Sequence, residues 1–537
     1  MNSMHARGHT DKIVAPQDAK KLLLSVIRSG DRVVIEGDNQ KQAAFLAETL
    51  ASLPPSQVHD LHMLMSSVTL DAHLDLFRRK VASKLDFAFS GQQAVALAEL
   101  VQDGRVNIGS IHTYIELFSR YFTDLTPNVA LVCAEEADSE GNLFTGPNSE
   151  ETPVLCEAAH FGKGKVIAQV TKVVERLSRV DIPGDQIDYV IPTGTANQIQ
   201  PLFTRDPAKL TNMHVLMAMM VIKGIYAEYG VQCLNHGIGY ATAAIELLLP
   251  TYAMQLGLKG KICSHWALNP HPTMIPAIES GMVRSIHSFG SEPGMDDYIA
   301  ARKDVFFTSA DGVLKSNRCL CQVVGYYDCE CFVGATLQID TEGNSSTAIQ
   351  GRISGFGGAP NLGSNPVGRR HVTAAWRKVG QEIAAARGLK GIDVRGHKLI
   401  VQLTPTVSAK KGIPVFVEAL DANLMAEKGI FELPPVMIYG DDITHIVTEK
   451  GIAYLCRCGS REERRAAIRS VAGQTPVGKK AVASETAELR GKKIVAYPED
   501  LGIQTENATV ERLSARSISD LVEISGRRFH PLPQFRQ

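Results

Sequence analysis

Short apolar runs alternate with helix-spaced segments along nearly the whole chain, and this alternation restricts the fold more than any single residue does. Leu22, Leu23, Val26 and Ile27 stand at helical spacing; Gly30-Asp31 breaks the pattern, and Arg32-Val33-Val34-Ile35 follows as a buried strand. A turn at Gly37-Asp38-Asn39-Gln40 then leads into a helix through Thr49. The same order recurs with strands at 59–68, 86–89, 106–108, 129–133, 166–170 and 189–191. Such strands, separated by helices of about a dozen residues, predict an open α/β fold with mostly parallel sheets and helices on both faces. Between Ile191 and Asn212 the pattern lapses into a stretch rich in Pro, Thr and Asn, then begins again. We expect two related open α/β domains, 1–205 and 206–537, that share a style rather than a visible repeat. In the second, strands are expected at 231–234, 261–263, 305–307, 322–327, 332–339, 399–403, 415–417 and 436–437.

Charge excludes several classes. With 56 basic and 57 acidic residues the formal net charge is −1, so no global field favours nucleic acid or an anionic membrane. The apolar run around 214–222 is well short of the roughly 20 residues of a membrane span. The opening MNSMHARGHTDK lacks the apolar core of a signal peptide. Ten cysteines, among them Cys133, Cys233 and Cys331 in apolar runs, point to a reducing compartment, and the cytoplasm is expected. The C-terminal HPLPQFRQ reads as a tail packed on the outside or on a partner.

Chemistry-bearing residues concentrate between Val231 and Asn361. The run Val231–Leu234 ends in Asn235-His236, and Gly237-Ile238-Gly239 opens a helical segment. A run at Lys261–Cys263 then ends in Ser264-His265-Trp266, with Asn269 and His271 close behind. The carboxyl ends of strands, beside a helix N-terminus, are where open α/β sheets hold ligands. The Gly-x-Gly turn has three readings: a dinucleotide cradle, a plain tight turn, or a set of N–H groups that polarise a carbonyl. The dinucleotide reading lacks its third glycine, where Thr242 stands, and its acidic residue at the next strand tip. A second loop, Gly351-Arg-Ile-Ser-Gly355-Phe-Gly357-Gly358-Ala-Pro-Asn361, holds four glycines in eight residues. It implies close backbone approach, to a ligand or to a neighbouring strand, with the ligand slightly favoured. The pairs Cys319/Cys321 and Cys329/Cys331 lack zinc spacing and read as residues lining a core, so no metal is expected. The acidic loop Glu135–Asn142 reads as a solvated turn rather than an ion site.

At these loops the chain resembles a known family. HGIGYA paired with SHWALNP, then IDTEGNSSTAIQGRISGFGGAPN and HIVTEKGIAYL, is similar to the second domain of the family I coenzyme A transferases. Asp138-Ser-Glu-Gly-Asn142 resembles a turn in their first domain, and the likeness covers most of residues 20–475. The stretch from Leu234 to Gly281, with the GFGGAPN loop, is most similar to family members that work in a biotin-independent decarboxylase on an acyl carrier rather than on free coenzyme A. The resemblance implies two CoA-transferase-like domains and the exchange acetyl-S-carrier plus malonate to malonyl-S-carrier plus acetate. It implies a separate acyl carrier (δ) subunit bearing a phosphopantetheine-type group derived from dephospho-coenzyme A, and β and γ decarboxylase subunits. No cofactor is expected on this chain itself.

One departure from the family matters. Coenzyme A transferases carry a glutamate at the strand tip after the glycine turn, and that carboxylate attacks the thioester. Here no Glu or Asp stands between Lys261 and Ala277, and the tip reads Ser264-His265-Trp266. We therefore expect direct attack by the malonate carboxylate, without a glutamyl-enzyme. The expected catalytic set is Gly237, Gly239, His265, Asn269, Gly357 and Gly358; the expected substrate-binding set is His236, Arg352, Asn344 and Asn361. Alternatives on the same fold are a free acyl-CoA:carboxylate transferase and the α subunit of citrate lyase. An alternative of another class is a non-catalytic scaffold for the carrier.

Overall fold

A computed structural model describes residues 12–37, 41–196, 206–314, 316–366, 373–408 and 412–533, save the side chain of residue 392. Residues 1–11 of the opening segment, most of the 37–40 turn and the last four residues of the tail lie outside that description, as does the segment on the N-terminal side of the expected 205/206 boundary. The chain forms two compact units. The first comprises Met1–Pro201, Thr308–Cys319 and Gly351–Gly357; the second comprises Leu202–Phe307, Leu320–Gln350 and Gly358–Gln537.

The first unit is built on eight strands: β1 (Arg32–Ile35), β2 (Leu61–Ser67), β3 (Ala82–Phe89), β4 (Asn107–Ile111), β5 (Val129–Ala137), β6 (Leu143–Phe144), β7 (Lys165–Val173) and β8 (Tyr189–Pro192). They lie in the order β4-β3-β2-β1-β5-β7-β8, all parallel, with β6 antiparallel beside β5. Helices cover both faces, so central strands such as β5 read as unbroken apolar runs rather than alternating ones. Val132, Ala134, Val166 and Ala168 pack there against Phe118, Tyr121 and Leu155.

The second unit repeats the plan with β9 (Cys233–His236), β10 (His265–Ala267), β11 (Ser285–His287), β12 (Cys331–Gly334), the short strands β13 (Gln338–Ile339), β14 (Ser345–Ser346) and β15 (Ala348–Ile349), and, past β16 (Arg352–Ile353), which belongs to the first unit, β17 (Leu399–Leu403), β18 (His445–Val447), β19 (Ile452–Tyr454) and β20 (Val495–Ala496). Its main sheet runs β11-β10-β9-β12-β17-β18-β19-β20, parallel as far as β18 and antiparallel beyond.

Six expected strands differ, and three of them, 305–307, 415–417 and 436–437, form no strand beyond isolated bridges at Phe306 and Phe416. Residues 322–327 belong to the helix Arg318–Tyr327, where buried Cys321, Gln322 and Gly325 share one side at helical spacing; tertiary burial overrides the β propensity of Val323-Val324. The run 332–339 is two strands, with β13 paired antiparallel to β14 instead of continuing β12. The run Lys261–Cys263 is not a strand, because Cys263 takes a left-handed φ of 58°, and the strand starts two residues later at His265.

A repeat is visible after all. In the first unit Asp138 Oδ1 accepts the N–H of Glu140 (2.9 Å) and of Asn142 (3.0 Å), Oδ2 accepts Asn142 Nδ2 (2.8 Å), and Asn142 Oδ1 accepts Gly184 N–H (2.7 Å). In the second, Asp340 makes the same contacts with Glu342 (2.9 Å) and Asn344 (2.9 and 3.0 Å), and Asn344 Oδ1 accepts Gly440 N–H (2.8 Å). Gly141 and Gly343 hold φ of 85° and 89° between them, a conformation that favours glycine. The Asp-x-Glu-Gly-Asn turn therefore closes the same antiparallel step in both units, β5 to β6 and β13 to β14.

Candidate active site

The carboxyl edge of the second sheet gathers the ends of β10, β9, β12 and β17. At its centre β9 ends in His236, and Gly237-Ile238-Gly239 turns into the helix Tyr240–Leu248. Gly237 lets two backbones meet: a Cβ there would press on Gly334 Cα at 3.3 Å and on the Val333 carbonyl at 3.4 Å. Gly239 has an extended φ of 167°, and a Cβ there would find only Thr242 Oγ1 at 3.7 Å and Ala335 Cβ at 4.0 Å. Thr242 Oγ1 braces the turn by donating to the carbonyls of Gly237 (2.8 Å) and Gly239 (2.9 Å).

The turn's donors divide. Gly237 N–H is spent on the Val333 carbonyl at 2.8 Å, so Gly237 drops out as an oxyanion donor. The amides of Ile238 and Gly239 have no acceptor among the described residues. They stand at the positive end of a helix, where a developing oxyanion is stabilised. At the tips of β10 and β17, Asn269 Oδ1 and Gln402 Oε1 are buried without a hydrogen-bond partner among the described residues, as is Ser288 Oγ just past β11. Buried polar atoms are nearly always satisfied, so an edge with three such atoms beside two open amides suits a polar ligand. Gln402 and Ser288 were missed in the sequence because an isolated polar residue ending an apolar run carries no spacing signal.

His265 does not belong to this edge. It pairs in register with Cys233, at the start of β9, whereas the glycine turn follows His236. Three residues of strand, about 10 Å, separate the two levels. His265 is exposed, with Nδ1 2.7 Å from Ser285 Oγ. The true tip of β10 is Leu268-Asn269, which likewise offers no carboxylate. His236 offers no ring nitrogen to substrate: Nε2 lies 2.6 Å from the Tyr226 hydroxyl and Nδ1 3.1 Å from Glu246 Oε1, with the edge of Trp266 against the ring at 4.6 Å. Asn344 is committed to its turn, and Asn361 Nδ2 to the carbonyl and side chain of Gln322 at 2.9 and 3.0 Å.

The second glycine loop is divided between the units. Gly351–Gly357, in the first unit, lies along the end of β3. Ser90 N–H donates to Ser354 O at 2.9 Å, and Phe356 and Gly357 N–H both donate to Ala88 O, at 2.6 and 2.8 Å. A Cβ on Gly355, at φ 73°, would run into that same carbonyl. The glycines thus serve a neighbouring strand rather than a ligand, and Gly357 N–H is already used. Arg352 is exposed, and among the described residues only its Nε is engaged, 3.0 Å from Ser354 Oγ. Gly358, in the second unit, keeps an amide without an acceptor among the described residues, and a Cβ there would meet Gln322 Nε2 at 2.6 Å. Cys321 and Cys329 pack with Ala267 in a small apolar cluster. Among the described residues no group of three or more His, Cys, Asp or Glu is placed to hold a metal ion, and no helix is long and apolar enough to cross a membrane.

Comparison with known proteins identifies the family. The family model described as malonate decarboxylase, alpha subunit, matches residues 1–537. An acetyl-S-ACP:malonate ACP transferase from Malonomonas rubra is 54% identical over 535 residues, covering 100% of this chain and 96% of that protein. A Pseudomonas malonate decarboxylase hetero-tetramer, solved with malonate, contains a chain 52% identical to this one, with a TM-score of 0.94 and coverage of 99% and 96%. The α subunit of a malonate decarboxylase from Acinetobacter baumannii is 51% identical, with a TM-score of 0.94 and coverage of 98% and 96%. At 14% identity, a Streptococcus mutans citrate lyase α subunit (TM-score 0.61) and an Escherichia coli O157:H7 acyl-CoA transferase (TM-score 0.53) share the fold.

Proposed function

The chain belongs to the malonate decarboxylase α-subunit family, and from that membership we propose that it catalyses acetyl-S-ACP + malonate → malonyl-S-ACP + acetate. It is a transferase of the CoA-transferase fold, and family membership sets aside citrate lyase and free coenzyme A transfer. The observation that carries the mechanism is the second unit's carboxyl edge: two open amides at a helix N-terminus, beside a β10 tip without a carboxylate. Glu246, the acid nearest the turn in the chain, is wholly buried and tied to His236 and Thr273, so it is no nucleophile.

In this mechanism a malonate carboxylate oxygen adds to the acetyl carbon of the thioester. The oxygen of the tetrahedral adduct takes the Ile238 and Gly239 N–H bonds, and collapse expels the thiolate and leaves acetyl-malonyl anhydride. The thiolate then attacks the malonyl carbon, and acetate departs with the oxygen it received from malonate. Asn269 and Gly358 serve as further polar contacts. Removing one such donor costs about 100-fold in rate where it meets the developing oxyanion.

Single-turnover exchange with enzyme in excess over acetylated carrier and with [18O]malonate tests this. Direct attack places one 18O in the first acetate released. A glutamyl-enzyme route would give unlabelled acetate, because the oxygen would come from the enzyme, and would overturn the mechanism.

The Pseudomonas relative is a hetero-tetramer, and we infer that this chain also works with other subunits. These are an acyl carrier (δ) subunit, whose phosphopantetheine-type arm presents the thioester, and a decarboxylase β/γ pair. Ten free thiols support a reducing, cytoplasmic setting.

A further inference from the structure

Beneath the glycine turn lies a carboxylate that the reaction does not consume. Glu246 sits two turns into the helix Tyr240–Leu248, in the apolar sequence Ala-Ala-Ile-Glu-Leu-Leu, and has no exposed surface. An apolar side chain would fill that position at lower cost, since a buried carboxylate is tolerated only when paired and hydrogen-bonded. Its pairing is thorough. Oε1 lies 3.1 Å from His236 Nδ1 and 3.6 Å from His271 Nδ1, and Oε2 accepts the Thr273 hydroxyl. Because the carboxylate accepts, His236 carries its proton on Nδ1, and Nε2 accepts the Tyr226 hydroxyl at 2.6 Å. Tyr226 rides on a π-helical turn, Ile222–Ala227, a widened geometry that is frequent at functional sites.

These partners belong to three different pieces of the site. His236 is the last residue of β9, directly before the turn; Glu246 is on the helix that the turn opens; His271 and Thr273 are in the loop after β10 that also carries Asn269. Asn235, whose side chain leaves the other face of β9, donates to the Ala267 carbonyl at the end of β10. One carboxylate thus joins both ends of the glycine turn to the Asn269 loop.

We propose that Glu246 is a positioning residue for the thioester exchange: through His236, Thr273 and His271 it fixes the Ile238 and Gly239 amides relative to Asn269. This rests on the transferase function proposed above. Geometry, not charge, is what the residue supplies. Glutamine can replace it, with Oε1 accepting from His236 and Nε2 donating to Thr273 Oγ1, whereas alanine cannot.

The test uses the full chain with its carrier. Wild-type protein must first convert acetyl- to malonyl-carrier; its failure would sink the assigned reaction rather than the role of Glu246. Given that activity, Glu246→Ala should lower kcat by about 30-fold or more, with KM for malonate changed by less than about threefold, because positioning is lost in the transition state. Glu246→Gln should stay within about fivefold of wild type. Thr273→Val, a milder change that keeps the charge, should cost about three- to tenfold in kcat. Hydrogen exchange of a peptide spanning 236–242 supplies a readout without activity: faster in Glu246→Ala, unchanged in Glu246→Gln. Wild-type kcat in folded Glu246→Ala overturns the proposal, as does Glu246→Gln being as slow as Glu246→Ala.

Discussion

Asp86 holds its charge where water barely reaches, at 2% side-chain exposure on β3. His62 Nε2 and His112 Nε2 each lie 2.7 Å from one of its oxygens, and the other nitrogen of His112 is 3.3 Å from Glu116. Burial alone would raise the Asp86 carboxyl, but hydrogen bonds from His112 and His62 outweigh it and hold the group well below the usual range. Burial likewise pulls His112 down, yet bonds to Asp86 and Glu116 win and raise it. The signs set two limbs of stability. The depressed carboxyl contributes above about pH 4 and loses that contribution as pH falls through its folded pKa. The raised imidazole contributes fully below about pH 6.5 and loses it as pH rises through its folded pKa. Asp86→Asn should cost about 3 kcal/mol at pH 6, the usual result of removing one partner from a buried ion pair, and should flatten the alkaline limb. Denaturation midpoints of both proteins from pH 4 to 9 decide it; parallel curves above pH 6 would refute the assignment. None of this cluster was legible in the sequence, because its members come from two strands, the residue just after β4 and the following helix, with no shared spacing.

At the scale of elements, the strand plan was legible and its edges were not. β1, β5, β7 and β17 lie where their apolar runs predict, since a strand buried on both faces must be apolar throughout. β10 does not, because a three-residue strand gives too short a pattern to fix its ends, and the left-handed φ at Cys263 stops the run that looked like a strand. That small shift moved His265 from the reactive edge to the opposite one and put Asn269 at the tip. Kinetics can separate the two placements. His265→Ala should leave exchange within about twofold, since it removes only an exposed contact to Ser285. Asn269→Ala should slow it about tenfold or more, as losing a polar contact at an oxyanion edge does. The reverse ranking would restore His265 to the site. The glycine loops show the same limit: four glycines announced a close approach, but only the fold shows that Gly355 meets the Ala88 carbonyl rather than a substrate.

Across the whole molecule, the two units carry one structural idea twice, and the sequence held the clue in Asp138-Ser-Glu-Gly-Asn142 and Asp340-Thr-Glu-Gly-Asn344. The five-residue match is short enough to pass for turn composition; the matching hydrogen bonds, down to the Asn amide that receives Gly184 N–H in one unit and Gly440 N–H in the other, make it a repeat. This bears on function, because it takes Asn344 out of the substrate-binding set: its Oδ1, Nδ2 and backbone N–H are all engaged, as those of Asn142 are in the unit without the glycine turn. If both turns do the same structural work, Asn142→Ala and Asn344→Ala should each cost about 1–2 kcal/mol, the penalty for leaving partly buried donors and acceptors unpaired. Their effects should add within about 0.5 kcal/mol, since the turns share no hydrogen-bond partner. Neither variant should shift KM for malonate by more than about twofold once the folded fraction is accounted for. A malonate KM raised tenfold by Asn344→Ala alone would return that residue to substrate and break the symmetry. Equal stability losses with unchanged KM would leave the two turns as paired fasteners, with no part in malonate recognition.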